Sequence, residues 1–379
     1  MKYMGSKRSM LKNGLGDLLL EQTVLFDRFV DLFAGGGFVS WFVAKQVSKP
    51  VLAVDLQRYS TVLTEAVISR TKPLDSKIIY DKWVLNAKGK RNKSYLWKKA
   101  EHLSNLNLSV NIYVEQARKL CERKSTIGPL WNAYGGHYFS PAQALTFDFL
   151  LDNLPEEYDE KIVCLAACIS TASECVASPG HTAQPFQPTK GAGKYILESW
   201  QKDPLERCKL NLEFLCSKYA KVKGKVTTED GLNIIPQLNS KDLVFIDPPY
   251  SSVQYSRFYH VLETIARRNK EITVSGVGRY PALDERPQSK FSNISQAKGA
   301  LKLLLEGIAK QGATIIFTFP SGDSSNGLSG SYIKSLASEW FLVEDKNTIE
   351  GQFSSLGGNN GNRKARNKSS ELVLYLGPK

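Results

Sequence analysis

Apolar runs of strand length alternate with amphipathic stretches of helix length at both ends of the chain, but not in its middle. Near the start, residues 28–33 read as a strand, Ala34-Gly35-Gly36-Gly37 as a tight turn, and 38–47 as a helix. Residues 51–54 form a second strand ending in Asp55, and 57–69 a second helix. The rhythm returns at Leu243-Val244-Phe245-Ile246, whose unbroken apolar character suits a parallel strand buried on both faces. Helices over 258–268, 294–311 and 331–340 then enclose strands at 313–319, 341–345 and 371–376. The last two strands are expected to be antiparallel across a Gly/Asn/Arg/Lys loop at 351–370.

Between these ends the pattern is helical and polar. Helices are expected near 95–106, 112–122, 141–151, 161–175 and 203–219, and a short strand at 225–228. Residues 128–136, 178–188 and 274–293 read as loops, the last at the surface. The predicted fold is α/β, with a mostly parallel sheet, an antiparallel C-terminal hairpin and an inserted, mostly helical region. The expected division is 1–70 with 236–379 as one domain and 71–235 as the insertion.

Composition narrows the class. Of 379 residues, 42% are hydrophobic and 23% charged, which fits a globular rather than a disordered chain. No run approaches the ~18 apolar residues of a membrane span, and the start lacks the apolar core of a signal peptide, so a cytoplasmic setting is expected. Six cysteines form no C-x-x-C pair, and only four histidines are present, so no metal site is expected. Cys164 and Cys168, one helical turn apart, read as packing residues. The net charge of +13 favours a polyanionic partner. Its cations cluster at 82–99, 118–124, 218–225 and 363–368, and Trp83, Tyr95 and Trp97 lie within the first cluster. That mixture suits phosphate contact with some base or sugar packing.

The candidate chemistry lies at strand ends. Asp247-Pro248-Pro249-Tyr250 follows the strand at 243–246, at the edge where open α/β sheets bind ligands. The two prolines fix the backbone there and supply no N–H. Asp247 and the Pro248 carbonyl can each accept an N–H hydrogen bond from one exocyclic amine, and Tyr250 offers a stacking face. The glycine turn lets backbone approach a ligand at a helix N-terminus, and Asp55 suits a ribose diol. A third spaced glycine is missing, so a dinucleotide site fits poorly. Lys190-Gly191-Ala192-Gly193-Lys194-Tyr195 is no phosphate loop, because Tyr195 stands where a magnesium-binding Ser or Thr is needed.

Together these pieces resemble the Dam-like, D12-class adenine-specific DNA methyltransferases in the α motif order. Lys2-Tyr3-Met4-Gly5-Ser6-Lys7 is similar to the family's first motif, Asp31–Gly37 to its glycine motif, and Asp247–Tyr250 to its catalytic motif. Gly180–Phe186 and 354–375 echo it more loosely. The resemblance implies a Rossmann-like methyltransferase fold using S-adenosylmethionine to methylate N6 of a flipped adenine in duplex DNA. It implies that Tyr3, Lys7, Phe33, Gly35, Gly37, Asp55 and Asp247 hold the cofactor, while Asp247, Pro248, Pro249 and Tyr250 serve the target base. Arg363, Lys364 and Arg366 are expected on phosphate. Gln184, Gln187 and Asn132 are candidates for base edges. A monomer acting in restriction–modification or phage defence, beside a cognate endonuclease or defence proteins, is the implied setting. The alternatives are an N4-cytosine or an RNA adenine methyltransferase, and a catalytically silent DNA-binding module.

Overall fold

The computed structural model describes residues 7–346, 349–354 and 366–379, with side chains over 7–346 and 370–379. The chain divides into two compact units. One comprises the described residues of Met4–Lys72, Tyr219–Ser256 and Pro287–Lys379; the other is built on Pro73–Lys218 and Arg257–Arg286.

Ten strands are present among the described residues. They are β1 (Arg28–Asp31), β2 (Val51–Asp55), β3 (Lys225–Thr228), β4 (Asp242–Ile246), β5 (Val274–Ser275), β6 (Tyr280–Pro281), β7 (Thr314–Pro320), β8 (Phe341–Asp345), β9 (Ile349–Ser354) and β10 (Arg366–Pro378). Eight form the sheet of the first unit, in the order β3-β2-β1-β4-β7-β10-β8, with β9 pairing β10. The five strands from β3 to β7 are mutually parallel, and β10 runs antiparallel to β7, β8 and β9. This is the mostly parallel sheet with an antiparallel C-terminal end that the hydrophobic pattern predicts.

Strand alternation explains the two buried faces. Val30, Leu32, Leu52, Val54, Val244, Ile246, Ile315 and Phe317 share one core with Leu301, Leu304, Leu305 and Ile308 of the helix Ala297–Lys310. Phe29 and Phe245 stack on each other at 6.4 Å between ring centroids and are also buried. At the N-terminal edge of the strands, Arg28 grips Asp242 with two bonds, Nε to Oδ1 at 2.8 Å and Nη2 to Oδ2 at 2.6 Å. The register then puts Asp31 and Asp55 last in β1 and β2, and Asp247 just past β4, at the opposite edge.

β9 and the first residues of β10 fall where the sequence reads as loop. Their pairing is a backbone ladder, and the polar sequence there carries no period-2 apolar signal. Near the start, two helices, Arg8–Lys12 and Leu15–Thr23, are separated at Gly14, which has φ 103°.

The other unit is helical, around Pro141–Asp152, Tyr158–Cys175 and Pro204–Cys216. All six cysteines are buried and unbridged, as packing residues should be. Two loops are corrected. Residues 128–136 contain the helix Pro129–Tyr134, because Pro129 starts it and the distant Asp148 caps it, accepting from Leu130 and Trp131 N–H at 2.9 Å each. Residues 274–293 are not wholly surface. β5 and β6 pair, and Tyr280 donates to the Ala183 carbonyl at 2.5 Å. In the sheet unit, Phe291 is buried in the core.

Candidate active site

The sheet unit gathers the sequence-derived residues at the C-terminal ends of its parallel strands. Asp31 is fully buried and bonded to the Ser40 hydroxyl at 2.6 Å. Burial pushes its carboxyl up to about 7, with Asp247 and Asp55 adding negative potential, while Ser40 and the Phe33 N–H pull the other way. Asp55 accepts from the backbone N–H of Gly35 at 2.8 Å through Oδ2 and of Gln57 at 2.8 Å through Oδ1. Its carboxylate therefore shapes the glycine turn.

That turn is tight for a steric reason. Gly35 and Gly37 have φ of 52° and 76°, a region side chains avoid. A Cβ on Gly37 would lie 2.6 Å from Thr64 Oγ1 and 3.0 Å from Trp41 Nε1. The indole Nε1 of Trp41 is buried and has no hydrogen-bond partner among the described residues. Gly37 opens the helix Phe38–Gln46, whose N-terminus attracts anions. Phe33 borders the turn, its ring edge-on to Phe291 at 5.2 Å.

Among the described residues, Asp247 is held through Oδ1. Lys7 Nζ lies 2.9 Å from its Oδ1, and Thr318 Oγ1 donates to the same oxygen at 3.0 Å. Lys7 also donates to Glu371 Oε2 at 2.8 Å. Burial works against the Lys7 charge, but Asp247 and Glu371 overcome it and hold the ammonium well above its ordinary range. Burial raises Asp247 to about 6, Lys7 opposing and Glu371 adding to the rise.

Tyr250 packs against the sheet core, with Tyr255 and Phe319 meeting its ring edge-on at 6.4 and 6.5 Å. Asn326, fully buried, donates to the Pro249 carbonyl at 2.9 Å and to that of Phe291 at 3.0 Å, which pins the ledge without using the Pro248 carbonyl.

Tyr3, Arg363 and Lys364 lie outside the described residues, as does the Arg366 side chain. Gln184 is exposed in the helical unit. Asn132 and Gln187 are not positioned as base readers. The Asn132 amide bonds Ser125 N–H and carbonyl, and Gln187 accepts from Arg118 and donates to the Pro185 carbonyl. Trp83 is also withdrawn from any nucleic-acid surface: it is buried and donates to the Leu150 carbonyl at 2.9 Å. Tyr95 and Lys82, Lys88, Lys90, Lys93, Lys98 and Lys99 are exposed, and Arg91 lies over the Trp97 ring at 3.4 Å.

Sequence reasoning missed Thr318 and Glu371. Each leaves a signal, a hydroxyl between two phenylalanines and a carboxylate opening an apolar strand. Neither signal points to Asp247 without the strand register.

The sheet thus carries a glycine turn after β1, an acid ending β2 and Asp-Pro-Pro-Tyr after β4, all at one edge. The chain belongs to the D12 class N6 adenine-specific DNA methyltransferase family, whose model matches residues 3–290. It is similar to Modification methylase LlaI of Lactococcus lactis subsp. lactis, 26% identical over 300 residues, covering 78% of this chain and 43% of that protein. It is also similar to Modification methylase StsI of Streptococcus sanguinis, 26% identical, covering 73% of this chain and 38% of that protein. Type II methyltransferase M.FokI of Planomicrobium okeanokoites is 28% identical, covering 70% and 37%. The chain thus spans about two fifths of the length of these curated relatives.

Proposed function

We propose that this chain methylates N6 of adenine at a specific sequence in duplex DNA, with S-adenosylmethionine as donor. The observation that carries the reading is the Asp247 carboxylate at the sheet edge, with Oδ1 bonded to Lys7 and Thr318 and the Pro-Pro-Tyr ledge beside it.

The residues fit the donor's charges. Asp31, Asp55 and Asp247 give the strand ends negative potential suited to a sulfonium and an ammonium. The helix N-terminus at Gly37 and the orphaned Trp41 N–H suit a carboxylate. Tyr3, Phe33, Gly35, Gly37 and Asp55 would hold the molecule, and Lys7 has a third N–H to offer it. When bound, S-adenosylmethionine supplies an electrophilic methyl whose C–S bond breaks, its electron pair going to sulfur, as the N–C bond forms.

The chain's own residues do the rest. Asp247 Oδ2 and the Pro248 carbonyl each accept a hydrogen bond from the amine, which keeps both protons, and draw the N6 lone pair out of the ring. The Lys7 ammonium and the Thr318 hydroxyl favour the ionised form of Asp247 against the burial that opposes it, and the ionised carboxylate is the acceptor the amine needs. Extruding the base costs a few kcal/mol, which stacking on the braced Tyr250 ring offsets in part. Once the N–C bond exists, the surplus proton leaves N6 through Oδ2 or water.

The helical unit, with its exposed lysines, is proposed to contact the DNA and read its sequence, Gln184 among the candidates, while Arg363, Lys364 and Arg366 contact phosphate. A monomer in restriction–modification or phage defence, with a cognate endonuclease, is the proposed setting; the similarity to the modification methylases LlaI and StsI supports it.

The test is single-base sequencing of plasmid DNA from a methylation-free host expressing the chain. N6-methyladenine at one short recurring sequence is expected, lost in Asp247→Ala while DNA binding persists. N4-methylcytosine, or no modification, would replace this reading with the cytosine enzyme or the silent module.

A further inference from the structure

We propose that Thr318 and Glu371 are positioning residues for Asp247: with Lys7 they anchor Oδ1 and so reserve Oδ2 for the target amine. This rests on the methyltransferase reading above and adds residues to it.

The strand register builds the clamp. Ile246 pairs with Phe317 across β4 and β7, so the next residues, Asp247 and Thr318, lie side by side. Across β7 and β10, Thr318 pairs with Val373 and Pro320 with Glu371. Positions two apart on a strand share a face, so Thr318 and Glu371 are diagonal neighbours. Lys7 closes the triangle, 2.9 Å from Asp247 Oδ1 and 2.8 Å from Glu371 Oε2. Lys7, Thr318 and Glu371 are all buried. Two donors on one oxygen fix the rotation of the carboxylate, because turning it would break both bonds at once. Glu371 does not touch Asp247 by hydrogen bond; it holds the ammonium that does.

The charges around Asp247 give the clamp a signature. Lys7, Glu371 and Asp31 face it, together with the phenols of Tyr250 and Tyr255. Lys7 and the Thr318 hydroxyl favour its ionised form, and Glu371 opposes it. Removing the Thr318 donor therefore raises the Asp247 titration, and neutralising Glu371 lowers it. A packing role for either residue predicts no such opposed pair.

The experiment compares wild type, Thr318→Val, Thr318→Ser and Glu371→Gln in the full chain. Three quantities are read: single-turnover methylation of target DNA against pH, affinity for S-adenosylhomocysteine and DNA, and the Asp247 carboxyl titration by carbon NMR on 13C-labelled protein. Thr318→Val is expected to slow turnover roughly ten- to a hundred-fold, the effect of one hydrogen bond to a charged group, with both affinities kept. Its acid limb and the NMR titration move up, Thr318→Ser restores both, and Glu371→Gln moves them down. Unchanged turnover and titration in Thr318→Val and Glu371→Gln, or losses confined to ligand affinity, overturn the clamp. A wild-type chain inert on all DNA, whose Asp247 titration still responds as described, retires the methyltransferase reading and leaves the clamp standing.

Discussion

Gly37→Ala tests whether the glycine turn is tight for the reason its geometry gives. The residue sits at φ 76°, where an L side chain costs about 1–2 kcal/mol. The new Cβ would also come within 2.6 Å of Thr64 Oγ1 and 3.3 Å of Thr64 Cα. Thr64 cannot simply swing away, because it is buried and its hydroxyl donates to the Ser60 carbonyl at 3.0 Å. Overpacking of that kind costs about 1–3 kcal/mol, so the sum is about 2–5 kcal/mol. Urea unfolding of wild type, Gly37→Ala, Thr64→Ala and the double variant forms a cycle that separates the two parts. Removing Oγ1 relieves the closest contact but leaves Thr64 Cα at 3.3 Å and Trp41 Nε1 at 3.0 Å, so Thr64→Ala should cost less in the Gly37→Ala background than alone, by up to about 1–3 kcal/mol. The conformational part should remain. A turn distorted by this strain should also bind S-adenosylhomocysteine at least tenfold more weakly, as calorimetry can measure. An additive cycle, or a Gly37→Ala chain as stable and as tight-binding as wild type, refutes the steric argument.

Two further perturbations test buried carboxylates. Asp31 titrates near its ordinary 3.8 in the unfolded chain but at about 7 when folded, so the stability it contributes is complete below pH 3.8 and falls as pH rises through 7. Asp31→Asn should flatten that decline, whatever its fixed cost; parallel pH slopes for variant and wild type between pH 4 and 8 would refute the assignment. Asp148→Ala removes the cap of the helix Pro129–Tyr134, leaving two buried N–H groups unpaired, and should lower unfolding free energy by about 2–5 kcal/mol. A loss under 0.5 kcal/mol would mean that water or a side chain takes over the cap.

The fold was legible where burial is two-sided. Leu243–Ile246 has no polar residue to confuse a strand with a helix face, and Asp55 ends its strand where an abrupt change to polar residues marks the edge. The helix Pro129–Tyr134 was not legible, because the residue that caps it, Asp148, lies on another helix and no local pattern names it. β9 was missed for a related reason, since a ladder of backbone bonds leaves no mark on side-chain choice. At the site, residues whose chemistry is local, such as Gly37 and Asp247, could be read from the sequence. Asn132 and Gln187 were misread because an amide that serves a turn and one that serves a base look alike until their partners are known. Thr318 and Glu371 gain their meaning only from register.

The place of β10 in the sheet has a consequence for timing. It lies between β7 and β8, although both precede it in the chain. A nascent chain on the ribosome must therefore leave a slot open, or pair β7 and β8 wrongly, until this strand emerges. Glu371 arrives on that strand, 364 residues after the Lys7 it holds. Closing so long a loop makes this step slow relative to local pairing. Chains that end before residue 371 are thus expected to lack the Glu371 contact that holds Lys7 beside Asp247.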